Sequence, residues 1–494
     1  MKVPRPGSVW TSPRAARAAT ARPIVTGLAD SCCESTRVDG SAAPGWPSVT
    51  RATRWVVTIS SLLSLPMKAN DTVTPLSPMT VRADWSLTAT VAGLVAALVS
   101  YAGPFAVVLQ ATRAAHLDPA TTSSWVWAIA IGSGVSGLVL SLVTRMPVIV
   151  AWSTPGAALL IASIGGFRFS DAVGAFLVAS VVAAIVGFTG WFGRILAVVP
   201  SSIMSALLAG ILLPFVISGS VAVVASPLVA GSVVVAFVVA KRWAERYAVV
   251  LALATGVVAT VLTGGAAGSG GSGPGLVGGP LELRLTTPMV FVPTFDVAAL
   301  LSIGLPLLLI TLAAQNAPGL TVLRTHGYEP DDRLLVGGVS LVSALCTPFG
   351  GHATNLAAIT AAICTGPEAH PDPRRRYVAG VVCGVANLVA GAFAATLVSA
   401  YTALPAPMIS ALAAVALVAS VIGALSATLS VPGPTQTAAV ITLAVTASGV
   451  VVAGIGSAFW GLVAGVAVWA TLTGGRVDQP VAAPLSRSDS GRSR

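Results

Sequence analysis

Hydrophobic and polar positions do not alternate along this chain; they come in blocks. From Trp85 to Thr473 long apolar runs follow one another, separated by short turns that hold Pro, Gly or a few charges. Fourteen runs can be delimited: 85–110, 119–143, 147–165, 172–193, 195–217, 219–240 and 247–263, then 297–320, 333–346, 348–366, 377–400, 404–426, 436–453 and 456–473. A helix needs about 20 apolar residues to cross the hydrocarbon of a bilayer, and most of these runs suffice. Runs 147–165, 333–346 and 348–366 are short for that task. The predicted fold class is therefore an all-α polytopic membrane protein with fourteen transmembrane segments.

The blocks fall into two sets of seven around "GGAAGSGGSGPGLVGG" (264–279), a flexible linker by composition. "PMVFVPTF" (288–295) is predicted to run extended after it. The two sets share features in the same order. "PSSIMSALLAG" (200–210) matches "PAPMISALAAV" (405–415), and "PVIVAWSTPGAAL" (147–159) matches "PFGGHATNLAAI" (348–359). "YAGPF" (101–105) and "QNAPGL" (315–320) each interrupt a run with Pro and Gly. Because seven is odd, two such halves must lie in opposite orientations, an inverted repeat of the kind common in transporters.

The polar interruptions carry the chemistry. Backbone N–H and C=O groups must be satisfied inside hydrocarbon, so a broken helix is tolerated only where protein or a water-filled cavity covers it. Segments 147–165 and 348–366 pair across the repeat, and each is predicted to begin extended and continue as a half-helix starting near mid-membrane. A helix start carries roughly half a positive charge, so two starts facing one cavity favour an anion without any Lys or Arg. The residues assigned to those starts are Ser153, Thr154 and Gly156 in the first half. In the second they are Gly350, Gly351, His352, Thr354 and Asn355. Hydroxyls there can cap, and small residues let a ligand approach.

Composition narrows the picture further. Hydrophobic residues make up 55% of the 494, and only 9% are charged, against about 25% in soluble domains. No Lys, Arg, Asp or Glu lies between Arg376 and Arg476. With a cytoplasmic N-terminus, interior loops hold Arg145, Arg194, Lys241, Arg242, Arg246, Arg324, Arg333, Arg374, Arg375 and Arg376, and exterior loops only Arg113, Arg168 and Arg284. That asymmetry satisfies the positive-inside rule and puts both termini in the cytoplasm. The net charge of +10 is then a topology signal, with no nucleic-acid partner implied.

Residues 1–84 are rich in Arg, Ser, Pro and Ala and are expected to be a disordered tail, as are 476–494. "WVVTISSLLSLP" (55–66) is too short to span, and Met67 or Met79 offers an alternative start. Cys32, Cys33, Cys346, Cys364 and Cys383 show no metal spacing; no metal or cofactor is expected. Nor does any set of convergent nucleophiles, acids or metal ligands suggest an enzyme.

The stretches "TLAAQNAPGLTVLRTHGY" (311–328) and "CTPFGGHATNLAAITAAICTGPEAHPDPRRRY" (346–377) resemble the benzoate:proton symporter family, BenE type. The similarity covers about 85–475, and the family sits in a larger group with uracil and xanthine permeases and sulfate transporters. The resemblance implies repeat 1 over 85–263, a linker over 264–296 and repeat 2 over 297–475. It also implies a core domain of spans 1–4 and 8–11 and a gate domain of spans 5–7 and 12–14. Spans 3 and 10 would each be a short strand plus half-helix, with substrate between them. The implied activity is proton-coupled uptake of benzoate or a similar aromatic carboxylate across the cytoplasmic membrane. A nucleobase permease, or an inorganic-anion transporter or channel of the same fold, is the alternative, and a homodimer is left open.

Gln315 and Asn316 fall where nucleobase permeases of this fold carry a substrate-binding acid. An amide there departs from that pattern and suits an anion, which needs donors; the alternative is that both amides pair with broken backbone. Tyr101, Phe105, Trp152 and Phe349 are candidates for an aromatic wall. His352 is the one histidine inside a span, and no Asp or Glu lies well within any. It is the candidate proton-coupling group, against a bland reading as a neutral hydrogen-bonding residue.

Overall fold

The computed structural model describes residues 84–263 and 283–474. The predicted tails, most of the Gly-rich linker, and Cys32 and Cys33 lie outside the described residues. The first half opens with helices α1 (Leu87–Ala102) and α2 (Pro104–Ala114), which form one span interrupted at Gly103. Pro104 has no N–H to continue the helix, and the Tyr401 hydroxyl donates to the freed Tyr101 carbonyl. Helix α3 (Pro119–Thr144) starts on Asp118, whose carboxylate accepts from the Ala120 and Thr121 N–H groups. There follow strand β1 (Val150–Trp152), helix α4 (Thr154–Ser163) and helix α5 (Phe169–Thr189). Helices α6 (Ser201–Ala225), α7 (Val229–Trp243) and α8 (Ala248–Leu262) complete the half.

The second half repeats the plan. Span α9 (Val297–Thr325) turns π-helical at Leu300–Gly304 and at Ile310–Asn316. Each wide stretch lies just before a proline, Pro306 or Pro318, whose ring and missing N–H disturb the preceding turn. Helix α10 (Asp332–Cys346), strand β2 (Thr354–Leu356) and helix α11 (Ile359–Thr365) come next. Helices α12 (Tyr377–Ala392) and α13 (Ala394–Thr402) meet at a bend of 72°. Helices α14 (Ala406–Leu429), α15 (Pro434–Ala447) and α16 (Ser457–Thr473) close the chain.

Seven helices of the described residues are long and apolar enough to cross a membrane, or eight if the bent pair counts as one span. Val221, Val224, Val235 and Val238 are each more than half exposed. Such apolar faces suit lipid as their solvent, because the mid-helix backbone behind them is bonded along the helix itself. The protein is an integral membrane protein of many helices. By length and composition the other apolar runs are shorter: Thr154–Gly166, Ala248–Leu262 and Ser457–Thr473 are helices of this kind.

The two halves are joined at β1 and β2, which pair antiparallel with Val150 opposite Leu356, Ala151 opposite Asn355 and Trp152 opposite Thr354. The ladder extends at both ends, from Ser153 N–H to Ala353 O (2.8 Å) and from Ala357 N–H to Ile149 O (2.9 Å). Each strand satisfies the backbone that the other exposes, which is how six extended residues can sit among apolar helices. The segment before Asp296 forms neither helix nor strand. Its Met289, Phe291 and Thr294 N–H groups bond Ser124 Oγ, Pro348 O and Ser170 O.

One local expectation is corrected. The second half-helix does not start within Gly350–Asn355. Gly350 turns the chain at φ +92°, a conformation that favours glycine. Residues 354–356 are strand, and α11 begins only at Ile359 behind Ala358, which supplies no side-chain cap. Three residues of strand pairing with a distant partner outcompete local helix formation here.

Candidate functional site

The first half-helix is built as its sequence suggests. Ser153 Oγ accepts from the Gly156 N–H (3.0 Å), and Pro155 occupies the first turn, where no N–H is required. The far end of α11 is held by Arg376, which is buried and donates to the carbonyls of Thr365 (2.7 Å) and His370 (2.7 Å). A cation at a helix C-terminus also complements the dipole.

Between these half-helices and helices α6 and α14 lies a cavity of about 970 Å³, mostly apolar in its walls. Trp152, Thr154, Gln315 and Thr360 line one side, and Met204, Leu208, Val415 and Ala419 the other. It reaches the exposed pair Lys241 and Glu245 at the end of α7. The Lys241 ammonium beside it holds the Glu245 carboxyl below the usual carboxylate range. Among the described residues no group of three or more His, Cys, Asp or Glu is arranged to hold a metal ion.

Of the residues singled out in the sequence, Thr154, Gln315 and Trp152 line this cavity. Ser153 lies beneath it as the cap. Asn316 is fully buried, and its Oδ1 accepts from the Leu356 N–H (3.0 Å). The adjacent amides thus divide: Gln315 faces the cavity, and Asn316 ties α9 to β2. Gly156 and Gly351 serve packing. A Cβ at 156 would come within 2.7 Å of Leu307 Cδ1, and one at 351 within 3.1 Å of Ala128 Cβ. Thr354 gives its N–H to Ser343 Oγ (3.2 Å). Asn355 is buried with no side-chain partner among the described residues.

The aromatic residues separate as well. Tyr101, Phe105 and Trp152 form one cluster, with ring centroids 5.0 Å apart for Tyr101–Trp152 and 5.7 Å for Tyr101–Phe105. Tyr401 closes it edge-on at 4.8 Å from Phe105. Only Trp152 of the cluster lines the cavity. Phe349 packs elsewhere, against Trp127.

His352 is buried behind the strands. The Trp125 indole N–H donates to its Nδ1 (2.9 Å), and its Nε2 faces the Ser153 carbonyl (3.0 Å). An indole can only donate, so Nδ1 is bare and Nε2 carries the hydrogen that bonds Ser153. The ring is thus a neutral bridge from α3 to the cap of α4. A second proton would have to displace Trp125. Sequence reasoning missed Thr360 and the cavity role of Lys241, which had been counted only as a topology charge; nothing local marks either.

A lipid-facing helical bundle, broken at a matched pair of half-helices beside a mostly apolar cavity, defines a membrane transporter. The family described as "Benzoate membrane transport protein" (BenE) matches residues 83–471, and the chain belongs to that family. Inner membrane protein YdcO of Escherichia coli is 38% identical over 374 residues, covering 76% of this chain and 93% of its own. The benzoate membrane transport protein of Acinetobacter baylyi is 33% identical over 390 residues, covering 78% and 95%. Among solved structures, the transmembrane domain of the cyanobacterium bicarbonate transporter BicA aligns with a TM-score of 0.51 at 15% identity, over 77% of this chain and 97% of that one. Murine Solute Carrier 26 family member A9, an anion transporter in the inward-facing state, aligns with a TM-score of 0.52 at 13% identity, over 88% and 76%. At those identities the likeness carries the fold alone.

Proposed function

We propose that this transporter takes up benzoate or a similar aromatic carboxylate together with protons, across the inner membrane. The observation that carries the substrate class is the cavity itself. Its walls are mostly apolar, and the polar groups beside the half-helices, Thr154, Gln315 and Thr360, are neutral. An aromatic ring suits such walls, and amide and hydroxyl donors suit a carboxylate. The family and the named activity of the Acinetobacter relative support the same substrate. The test is uptake of labelled benzoate into proteoliposomes holding the purified chain. Unlabelled benzoate should compete, and uracil and sulfate should not. Competition by uracil instead would make it a nucleobase permease.

In this reading the chain is fourteen spans in two inverted repeats. The core comprises spans 1–4 and 8–11, the gate spans 5–7 and 12–14, and both termini are cytoplasmic. The paired breaks and the basic-residue asymmetry support it. Leu283→Cys and Asp372→Cys should then react with a membrane-impermeant thiol reagent from opposite sides, position 283 from outside. Labelling of both from one side would end the inverted-repeat arrangement.

A further inference from the structure

We infer that Lys241 and Glu245 form an exchange pair at the mouth of the cavity, Lys241 leaving Glu245 to take the carboxylate of a substrate in transit. This rests on the anionic substrate proposed above. Among the described residues lining the cavity, Lys241 is the one cation and Glu245 the one anion. They bond each other directly, with side chains 42% and 70% exposed. Lys241 lies in the last turn of α7, and Glu245 opens the turn that follows, after the backbone leaves helical geometry at Ala244.

An ion pair this exposed contributes little net stability, so exchanging one carboxylate for another on Lys241 is nearly neutral. Once the pair opens, the apolar walls strengthen the attraction between the bared ammonium and an anion at the mouth. The long flexible lysine stem lets the ammonium follow a ligand over a short path. Deeper in, the substrate would pass to the neutral donors Thr154, Gln315 and Thr360. Glu245 supplies the return stroke: an unpaired lysine would retain an anion, and a tethered carboxylate competes it away. A purely topological role for Lys241 needs neither the cavity position nor the partner.

The test is benzoate transport by the full chain in proteoliposomes, with KM measured for entry from the α7–α8 side at several salt concentrations. Lys241→Gln should raise KM about two- to fivefold at low salt, the scale of one exposed ion pair, and flatten its salt dependence. Lys241→Arg should restore both. Glu245→Gln should lower KM by a similar factor and slow turnover through delayed release; this variant decides the matter if Lys241→Gln inserts poorly. Parent-like KM and salt dependence in both neutral variants would overturn the pair while leaving the proposed function intact. A parent that moves no benzoate would sink the functional reading, and the pair with it.

Discussion

Gln315→Glu is expected to lower kcat/KM for benzoate roughly a thousandfold near neutral pH, with insertion and folding unchanged. Gln315 faces the cavity, and no hydrogen bond of the described residues depends on its side chain. A carboxylate in its place would meet the substrate's own. Two like charges about 4 Å apart, at an effective dielectric of about 20, repel by about 4 kcal/mol, which sets the thousandfold. Gln315→Leu removes a donor without adding charge and should cost about ten- to a hundredfold, the worth of one hydrogen bond to a charged group. The neighbouring Asn316→Leu should behave differently. It orphans the Leu356 N–H inside the membrane, so the loss should appear as lower thermal stability and yield. Uptake kinetics for the first two, beside thermal unfolding for the third, separate the roles. Full activity in Gln315→Glu would remove Gln315 from the substrate site.

His352→Gln is expected to abolish accumulation driven by an inward proton gradient and to retain exchange of internal for external benzoate. The ring is neutral in this conformation, bridging Trp125 and Ser153. Proton uptake at Nδ1 would expel the Trp125 N–H and loosen α3 from the cap of α4. Proton binding would thereby be linked to a change at the half-helix that faces the substrate, and such coupling is reciprocal. Glutamine keeps a hydrogen-bonding side chain and cannot titrate. His352→Leu should do worse, because it leaves the Trp125 N–H and the Ser153 carbonyl without partners, at about 1–3 kcal/mol each. Uptake after an imposed pH jump measures the coupling, and counterflow measures exchange. If His352→Gln still concentrates benzoate as the parent does, the proton travels on the substrate or on another group.

Some of this was legible in the sequence. The polar run around His352 stands out because everything near it is apolar, and the Ser153-Thr154-Pro155-Gly156 string spells a capped helix start in its own four residues. The start of α11 could not be read that way. Ala358 carries no capping atom, and what holds residues 354–356 extended is a strand from the other half. The division between Gln315 and Asn316 was equally hidden. Adjacent residues on a helix point about 100° apart, and the π-helical turn of Ile310–Asn316 alters even that. The full aromatic cluster was hidden for a related reason: Tyr101, Phe105 and Trp152 do meet, but Tyr401, which closes the cluster around Phe105, comes from a distant helix.

The pairing of β1 with β2 also imposes a timetable on synthesis. Ser153 and His352 are 199 residues apart, and ribosomes add about 5–20 residues per second. The first half therefore waits roughly 10–40 s in the membrane with the edge of Val150–Trp152 unpaired. During that interval its exposed backbone must borrow partners from the insertion machinery, from water or from lipid headgroups. A nascent chain that stalls before Thr354 presents the same open edge permanently, which is the kind of lesion membrane quality control can recognise. The strand pair thus marks the point in synthesis at which the second half first closes onto the first, with helices α11–α16 still to follow.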